Sequence, residues 1–150
     1  MSFPLPLPMR RALDLAAAAG AAGEVPVGAV VTRGNEIIAD ARNAMRGSTD
    51  PTAHAEIEAM RAAAKNLGTS RLDDCTLWVT LEPCAMCAAA AAIARLKAVH
   101  FGAEDPKGGG IVNGPRMFAQ PTIHHRPTVL AGIGEEEAGT LLRRFFEERR

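Results

Sequence analysis

The sequence predicts an α/β domain, and more specifically a three-layer α/β/α sandwich that contains a mixed five-stranded sheet. Short apolar runs bounded by turn residues alternate with stretches of helical periodicity along the chain. Two of these runs flank a Gly-Asn turn, which is typical of an antiparallel hairpin. A later pair of runs is joined by a helical stretch, which is typical of a right-handed parallel crossover. Antiparallel and parallel pairs in one chain predict a mixed sheet.

Length and charge set the broad class of the protein. The 150 residues correspond to a single domain, 1–150, that is long enough to bury a core without disulfides. Seventeen basic and seventeen acidic residues cancel, so RNA binding requires a local basic patch. The three cysteines do not suggest a disulfide framework, and no apolar run reaches the roughly 18 residues of a membrane span. We therefore expect a cytoplasmic protein without a membrane partner.

The amino-terminal segment predicts an arm followed by a helix. Residues 1–8 alternate with proline, so we expect an extended arm that is not helical. Residues 9–22 are mostly good helix formers and end before Gly23, in the manner of a helix C terminus. This first helix precedes the hairpin.

The hairpin comprises residues 25–31 and 36–43, with Gly34-Asn35 at its turn. Gly28 lies inside the first strand, where a glycine permits close approach of another group to the backbone. We expect Gly28 to mark either a bulge or the wall of a pocket.

The second helix is expected to begin at Asp50-Pro51, with aspartate as the N-cap and proline as the first helical residue. Gly68 ends it. Apolar residues at helical spacing give this helix one buried face. His54 and Glu56 would thus lie near the helix N terminus, where backbone donors and the helix dipole can serve a reacting site.

Residues 77–81 form a strand that turns directly into a helix with Pro83 at its first position. Cys84 and Cys87 are three residues apart, so both thiols face the same side of the first turn. The strand 98–102 follows as the parallel neighbour, and the helices that carry His54 and the cysteines should then cover one face of the sheet.

The carboxyl-terminal part predicts a long functional loop, a strand and a helix. Residues 103–127 are rich in glycine and proline and are long for an idle connection. Residues 128–132 give the last strand, and residues 135–150 an amphipathic helix. Its basic end either complements the helix dipole or faces phosphate groups. The apolar face of this helix comprises Ala138, Leu141, Leu142, Phe145 and Phe146.

One histidine and two cysteines, His54, Cys84 and Cys87, make a three-ligand zinc set that leaves the fourth tetrahedral position for water, as catalytic sites do. Glu56 lies two residues from the histidine and can shuttle protons without being a ligand. A closed structural zinc site with Cys75 as the fourth ligand is the alternative, although Cys75 is better explained as a small buried apolar residue.

Four further polar side chains, Glu82, His100, His124 and His125, could have a functional or a structural role. Glu82 is either a second catalytic carboxylate or, as we prefer, the cap of the helix that follows it. His100 lies in an apolar strand and is interpreted as a structural histidine. His124 and His125, beside Arg126, either bind phosphate or bases or lie in a solvated loop.

The motifs together resemble the bacterial tRNA-specific adenosine deaminases, members of the cytidine deaminase-like superfamily that convert the wobble adenosine of an anticodon to inosine. His-x-Glu with Pro-Cys-x-x-Cys marks the superfamily, whereas DPKGG and the basic Phe-Phe helix indicate the tRNA branch. The resemblance covers about residues 24–150. Its motifs are EVPVGAV (24–30), Asn43, DPTAHAEI (50–57), TLWVTLEPCAMCAAA (76–90), FGAEDPKGG (101–109), His125-Arg126 and LLRRFFEERR (141–150).

The resemblance implies Zn²⁺ on His54, Cys84 and Cys87, hydrolysis at C6 of adenosine by zinc-activated water, and Glu56 as the proton shuttle. It also implies a homodimer that binds the tRNA anticodon stem-loop through the 105–107 loop and the last helix. Asn43 would hydrogen-bond the flipped base. The implied substrate-binding residues are Val27, Asn43, Ala55, Pro83, Asp105, Lys107, His125, Phe145 and Arg149.

Two rival functions share the metal site. A small-molecule nucleobase deaminase, such as a guanine deaminase, would use the same zinc and glutamate. A zinc-containing RNA-binding module without activity belongs to another class, and Glu56 counts against it because a closed module needs no proton shuttle.

Overall fold

The computed structural model describes residues 4–149. The strands are β1 (Gly28–Arg33), β2 (Glu36–Arg42), β3 (Cys75–Leu81), β4 (Ala98–Ala103) and β5 (Thr128–Leu130). The helices are α1 (Leu7–Ala21), α2 (Ala55–Leu67), α3 (Ala85–Ile93) and α4 (Glu135–Glu147), and a single 3-10 turn spans Met117–Ala119. None of the helices in this described part is long and apolar enough to cross a membrane.

The five strands form one mixed sheet, as predicted, and their order in it is β2-β1-β3-β4-β5. β1 is antiparallel to both β2 and β3, whereas β3, β4 and β5 are parallel. The hairpin turn is confirmed, since Arg33 pairs with Glu36 and Gly34 adopts a φ of 62°. The parallel crossover through α3 is confirmed as well.

Helices cover both faces of the sheet, which confirms the three-layer α/β/α architecture. One core contains alanines of α2 and α3, including Ala59, Ala63 and Ala88, packed on Val79 and Phe101. The other contains residues of α1 and α4. Because alanine side chains are small, α2 lies close to β1 and β2 and also contacts α3.

The predicted arm is wrong at its end, because α1 begins at Leu7 rather than at residue 9. Pro8 fits inside the first helical turn, where a missing N–H costs no hydrogen bond. The rest of the arm prediction falls partly on residues 1–3, which lie outside the described residues. Gly28 is neither a bulge nor a pocket wall, because a Cβ there would lie 2.0 Å from the backbone oxygen of Ala12. The glycine instead lets α1 pack directly on β1.

The predicted starts of α2 and α3 are also wrong by a few residues. Asp50 does not cap a helix, since its Oδ1 accepts hydrogen bonds from the backbone N–H and hydroxyl of Thr52 at 2.9 and 2.8 Å. Such a local turn competes with helix formation, and α2 starts only after His54. Pro83 precedes the N-cap of α3, which is Cys84.

The apolar face of α4 is narrower than predicted. Phe145 is buried, but Phe146 is 49% exposed. Consecutive helical residues are about 100° apart, so both rings cannot face the sheet. β5 is shorter than predicted and ends at Leu130, and the described helix ends at Glu147.

Candidate metal centre and active site

Two helix N termini bring the three predicted metal ligands together. His54 is the N-cap residue of α2, and Cys84 is the N-cap residue of α3. Cys87 follows in the first turn of α3 and is buried. The prediction that ligands would meet at helix starts above one face of the sheet is therefore confirmed.

The distances between the ligand atoms fit a tetrahedral metal site. The Nδ1 of His54 lies 3.7 Å from the Sγ of Cys84 and 3.5 Å from the Sγ of Cys87. A tetrahedral zinc with Zn–S bonds of about 2.3 Å and a Zn–N bond of about 2.05 Å separates N and S by about 3.6 Å. The three ligand atoms all lie within 4.8 Å of one another. The donor set is thus preformed for one metal ion.

Cys75 does not belong to this group. Among residues 4–149, the cluster that could hold a metal ion consists of the histidine and the other two cysteines. Cys75 is 1% exposed at the start of β3, whereas the ligands follow the end of that strand, about 20 Å away at the rise of an extended strand. The alternative of a closed site with Cys75 is therefore wrong, and its interpretation as a buried apolar residue is confirmed.

The electrostatics of the cluster favour a thiolate. The pKa of Cys84 falls to about 4, first because the thiol of Cys87 donates a hydrogen bond to it and further because His54 does so. The same bond raises the pKa of Cys87, and the bond to Cys84 raises the pKa of His54. Two sulfur ligands and one imidazole are typical of zinc.

Glu56 stands beside the ligands without joining them. Its side chain is buried, and burial raises its pKa to about 7. A carboxyl group with a pKa near neutrality can both accept and return a proton, which is what general acid–base catalysis requires. The structure therefore places a buried carboxyl group with a raised pKa next to a candidate metal centre.

These groups open into a cavity of about 290 Å³, near the lower limit of small-molecule sites. A larger groove of 720 Å³ runs along the exposed side of α2 and contains none of the metal ligands, so size alone does not locate the site. The cavity has two walls, one from the segments around β1 and β2 and the other from the loop after β4. Its lining residues are Val25, Val27, Asn43, Met45, His54, Glu56, Leu81, Glu82, Cys84, Asp105 and Gly108.

The side chain of Asn43 bridges one wall to α2. Its Oδ1 accepts a hydrogen bond from the backbone N–H of Ala55 at 2.8 Å, and its Nδ2 donates to the backbone oxygen of Val25 at 3.0 Å. The amide group therefore retains one N–H for a ligand in the cavity. Ala55 is buried and contributes this backbone contact, whereas Val27 lines the cavity with its side chain.

Sequence reasoning missed Glu24, which fixes the same wall. This buried carboxylate accepts hydrogen bonds from the backbone N–H groups of Gly47 at 2.8 Å and Arg46 at 3.1 Å. The bond from Gly47 is the main reason why the pKa of Glu24 is lowered despite burial. Met45, which precedes the two donors, lines the cavity. No sequence signal pointed to this contact because its donors are backbone groups.

Glu82 does not cap α3, contrary to our prediction. α3 has no side-chain cap, and the carboxylate of Glu82 instead accepts hydrogen bonds from residues 105–113. Burial opposes its ionisation, but these hydrogen bonds outweigh burial and lower its pKa. Glu82 is thus an ionised, 2% exposed carboxylate at the rim of the cavity.

The loop that Glu82 holds contains Asp105 and Lys107. Asp105 lines the cavity, and its Oδ1 accepts hydrogen bonds from the backbone N–H groups of Lys107 and Gly108 at 3.1 and 2.9 Å. Lys107 is exposed. Pro83 is buried, and its carbonyl accepts a hydrogen bond from Gly110 at 2.8 Å.

His100, His125 and Arg126 are not among the residues that line the cavity. His125 bonds the backbone oxygen of Leu96 through Nε2 at 2.8 Å. Arg126 donates to the backbone oxygens of Phe118 and Gln120. The ring centroids of His100 and Trp78 lie 4.4 Å apart with the rings nearly perpendicular, which supports the structural interpretation of His100.

Phe145 on α4 and Arg149 just after it are not among the residues that line the cavity of the metal ligands. Phe145 is 8% exposed and lines a cavity of 230 Å³ between α1 and α4. The guanidinium carbon of Arg149 lies 3.6 Å from the centre of the Phe145 ring, and its Nη1 donates to the backbone oxygen of Phe145. These contacts hold the guanidinium of Arg149 just beyond the end of α4, where its Nη1 also lies 3.7 Å from the carboxylate of Glu148.

Comparison with known proteins identifies related chains. The protein-family profile described as MafB19-like deaminase matches residues 7–150. The chain is 49% identical over 142 residues to a protein of Agrobacterium fabrum named tRNA-specific adenosine deaminase, with 95% of this chain and 93% of that protein covered.

Solved structures extend these similarities to the fold. A structure from studies of A-to-I editing by tRNA deaminases at the wobble position of transfer RNA has a TM-score of 0.89 and 47% identity, covering 90% of this chain and 98% of that one. A guanine deaminase structure from Nitrosomonas europaea has a TM-score of 0.80 and 25% identity, covering 97% of this chain and 85% of that one.

Proposed function

This chain belongs to the MafB19-like deaminase family, together with the tRNA-specific adenosine deaminases, and we propose that it hydrolyses the wobble adenosine of tRNA to inosine. In chemical terms it is a hydrolase acting on the cyclic amidine C–N bond of adenine. The observation that carries the proposal is the His54, Cys84 and Cys87 cluster with the buried Glu56 beside it in one cavity.

Zn²⁺ is the proposed cofactor because the nitrogen–sulfur distances and the ligand types fit it. When bound, zinc supplies a Lewis acid that lowers the pKa of a bound water from about 15.7 to about 7. His54, Cys84 and Cys87 would hold the ion, and three protein ligands would leave one coordination position for water.

Glu56 moves the protons of the reaction. Its carboxylate accepts a proton from the attacking water and delivers it to the ring nitrogen beside C6. It then takes the proton of the new C6 hydroxyl and passes it to the amine, which leaves as the C–N bond breaks. Burial supports this role because it holds the pKa of Glu56 at about 7. The products are inosine and ammonia.

Side chains of the cavity wall would hold the flipped base. The free N–H of Asn43 donates to an acceptor of the purine, while Val27 packs against the ring and Asp105 faces the nucleotide. Ala55 and Pro83 support the site through backbone hydrogen bonds.

The anticodon stem-loop would extend from the cavity across the surface. Lys107 and Arg149, whose guanidinium stacks on Phe145, offer positive charge to its phosphates. His125, which bonds the backbone oxygen of Leu96, is a further proposed contact. Such local charge compensates for a net charge of zero. A tRNA substrate also makes the cytoplasm the proposed location of the reaction.

We further propose a homodimer that forms through α3. Ile93 is 66% exposed, and with Met60 and Ala90 it lines an apolar groove of 330 Å³ between α2 and α3. The alanines of α3 permit close packing of a second copy there.

Turnover of a wobble-adenosine stem-loop tests the function. Purified zinc-loaded protein should release ammonia and form inosine from this RNA, and much less from a stem-loop that carries adenosine one position away. The guanine deaminase alternative has support from the structural similarity to that enzyme. Turnover of free guanine without inosine formation would establish the alternative and overturn the proposal.

A further inference from the structure

Both oxygens of the Glu82 carboxylate are used by a single loop, residues 104–113. Oε1 accepts hydrogen bonds from the backbone N–H of Asp105 at 3.0 Å and from Nδ2 of Asn113 at 2.7 Å. Oε2 accepts from the backbone N–H groups of Ile111, Val112 and Asn113 at 3.0, 2.9 and 3.0 Å. Three consecutive backbone N–H groups converging on one oxygen form an anion-binding concavity, which Glu82 fills from within the protein.

Only a carboxylate can satisfy this arrangement. A glutamine of the same shape offers one accepting oxygen, and its NH₂ group would point at donors on the other side. If the amide oxygen took the place of Oε2, the N–H of Asp105 would lose its partner and face another donor. The loop is therefore built around a negative charge at this position.

Glycines allow the loop to close on Glu82 and on the metal-ligand turn. A Cβ on Gly109 would lie 2.4 Å from the Cδ of Glu82, and one on Gly110 would lie 2.6 Å from the backbone nitrogen of Ala85. Gly110 also donates its N–H to the carbonyl of Pro83 at 2.8 Å. Residues 82–85 and the loop thus form one tightly packed unit.

This unit joins the metal ligands to the substrate side of the cavity. Glu82 lies two residues before Cys84, and the loop that it binds presents Asp105 and Gly108 to the cavity. Glu56 and His54 stand on the start of α2, on the opposite side of the cleft, and make no hydrogen bond to this loop among the described residues. Movement of the loop would change the binding of substrate more than the chemical step.

We propose that Glu82 is a positioning residue. It holds the 104–113 loop, as the substrate-binding wall, at a fixed position relative to the metal ligands. The inference rests on the proposed function, since it concerns how that substrate is held. Glu82 is not a catalytic residue, because both of its oxygens are occupied by the loop.

The test combines amide hydrogen exchange with kinetics on zinc-loaded protein. In Glu82→Gln, the amides of Asp105 and residues 111–113 should lose protection while amides of α2 retain it. KM for the stem-loop should rise about tenfold, as expected for the loss of one hydrogen bond to a charged group, with kcat and zinc content close to wild type. Glu137→Gln, which removes an exposed carboxylate from α4, is the control and should change none of these values.

Two outcomes would overturn the proposal. Retained protection of the loop amides in Glu82→Gln would show that the carboxylate does not hold the loop, whatever the substrate of the wild type. A lower melting temperature with unchanged KM would reduce Glu82 to a structural role. Gly109→Ala approaches the same contact from the loop and keeps Glu82, so it decides the question if Glu82→Gln does not fold, with Gly139→Ala on α4 as its control. Inosine formation by the wild type tests the proposed function separately.

Discussion

Replacing Glu56 by glutamine removes the proton carrier and leaves the metal ligands in place. Glu56 lies outside the cluster of ligand atoms, in which the Nδ1 of His54 lies 3.7 and 3.5 Å from the sulfur atoms of Cys84 and Cys87. Zinc content should therefore stay at the wild-type value. General acid–base catalysis contributes about 10²- to 10⁴-fold, so kcat should fall by that factor, equivalent to about 3 to 5 kcal/mol of transition-state stabilisation.

The assay is inosine formation from a wobble-adenosine stem-loop at saturating RNA, with zinc measured on the same samples. Glu58→Gln is a matched control, because Glu58 stands two residues further along α2, is partly exposed and pairs with Arg61. It should retain wild-type kcat. A Glu56→Gln protein that keeps zinc and full turnover would refute the role of Glu56 as the proton shuttle.

Three further perturbations have definite expected outcomes. Gly28→Ala should lower the free energy of unfolding in urea by about 1 to 3 kcal/mol, because its Cβ would lie 2.0 Å from a backbone oxygen of α1. The control Gly139→Ala should not destabilise the protein, and equal unfolding midpoints for the two variants would contradict the packing account. The pKa of Glu24 is lowered in the folded protein, so its contribution to stability is present above the unfolded pKa of 4.5 and is lost as the pH falls through the folded pKa. Glu24→Gln should therefore flatten the acid side of a stability–pH curve, and an unchanged curve would contradict this contribution of Glu24. Removal of the metal by a chelator should abolish turnover and lower the melting temperature. Zinc but not magnesium should restore both, because thiolate ligands favour zinc, and recovery with magnesium alone would exclude the proposed ligands.

The sequence predicted the architecture and the meeting of the candidate ligands because both depend on local patterns. Spacing within a few residues placed His54 and Glu56 at one helix start and Cys84 and Cys87 at another. Apolar runs and a Gly-Asn turn located the strands. Element ends were less predictable, since the turn at Asp50 delayed α2 by several residues.

The contacts that shape the cavity were not predictable in the same way. Glu82 meets donors 23 to 31 residues later in the chain, and most of them are backbone N–H groups, which every residue other than proline possesses. Glu24 meets backbone donors 22 and 23 residues away. From the sequence, Glu24 and Glu82 are therefore only acidic residues beside predicted strands. Their hydrogen-bond partners can be assigned only from the folded structure.

Turnover in oxygen-18 water tests the central claim most directly. The cluster of His54, Cys84, Cys87 and Glu56 is proposed to hydrolyse adenosine, so water supplies the new oxygen at C6 of the base. Wobble inosine formed in this solvent should carry the heavy isotope, with one ammonia released for each inosine. Absence of inosine from the wobble position, or inosine that lacks the label, would contradict the account.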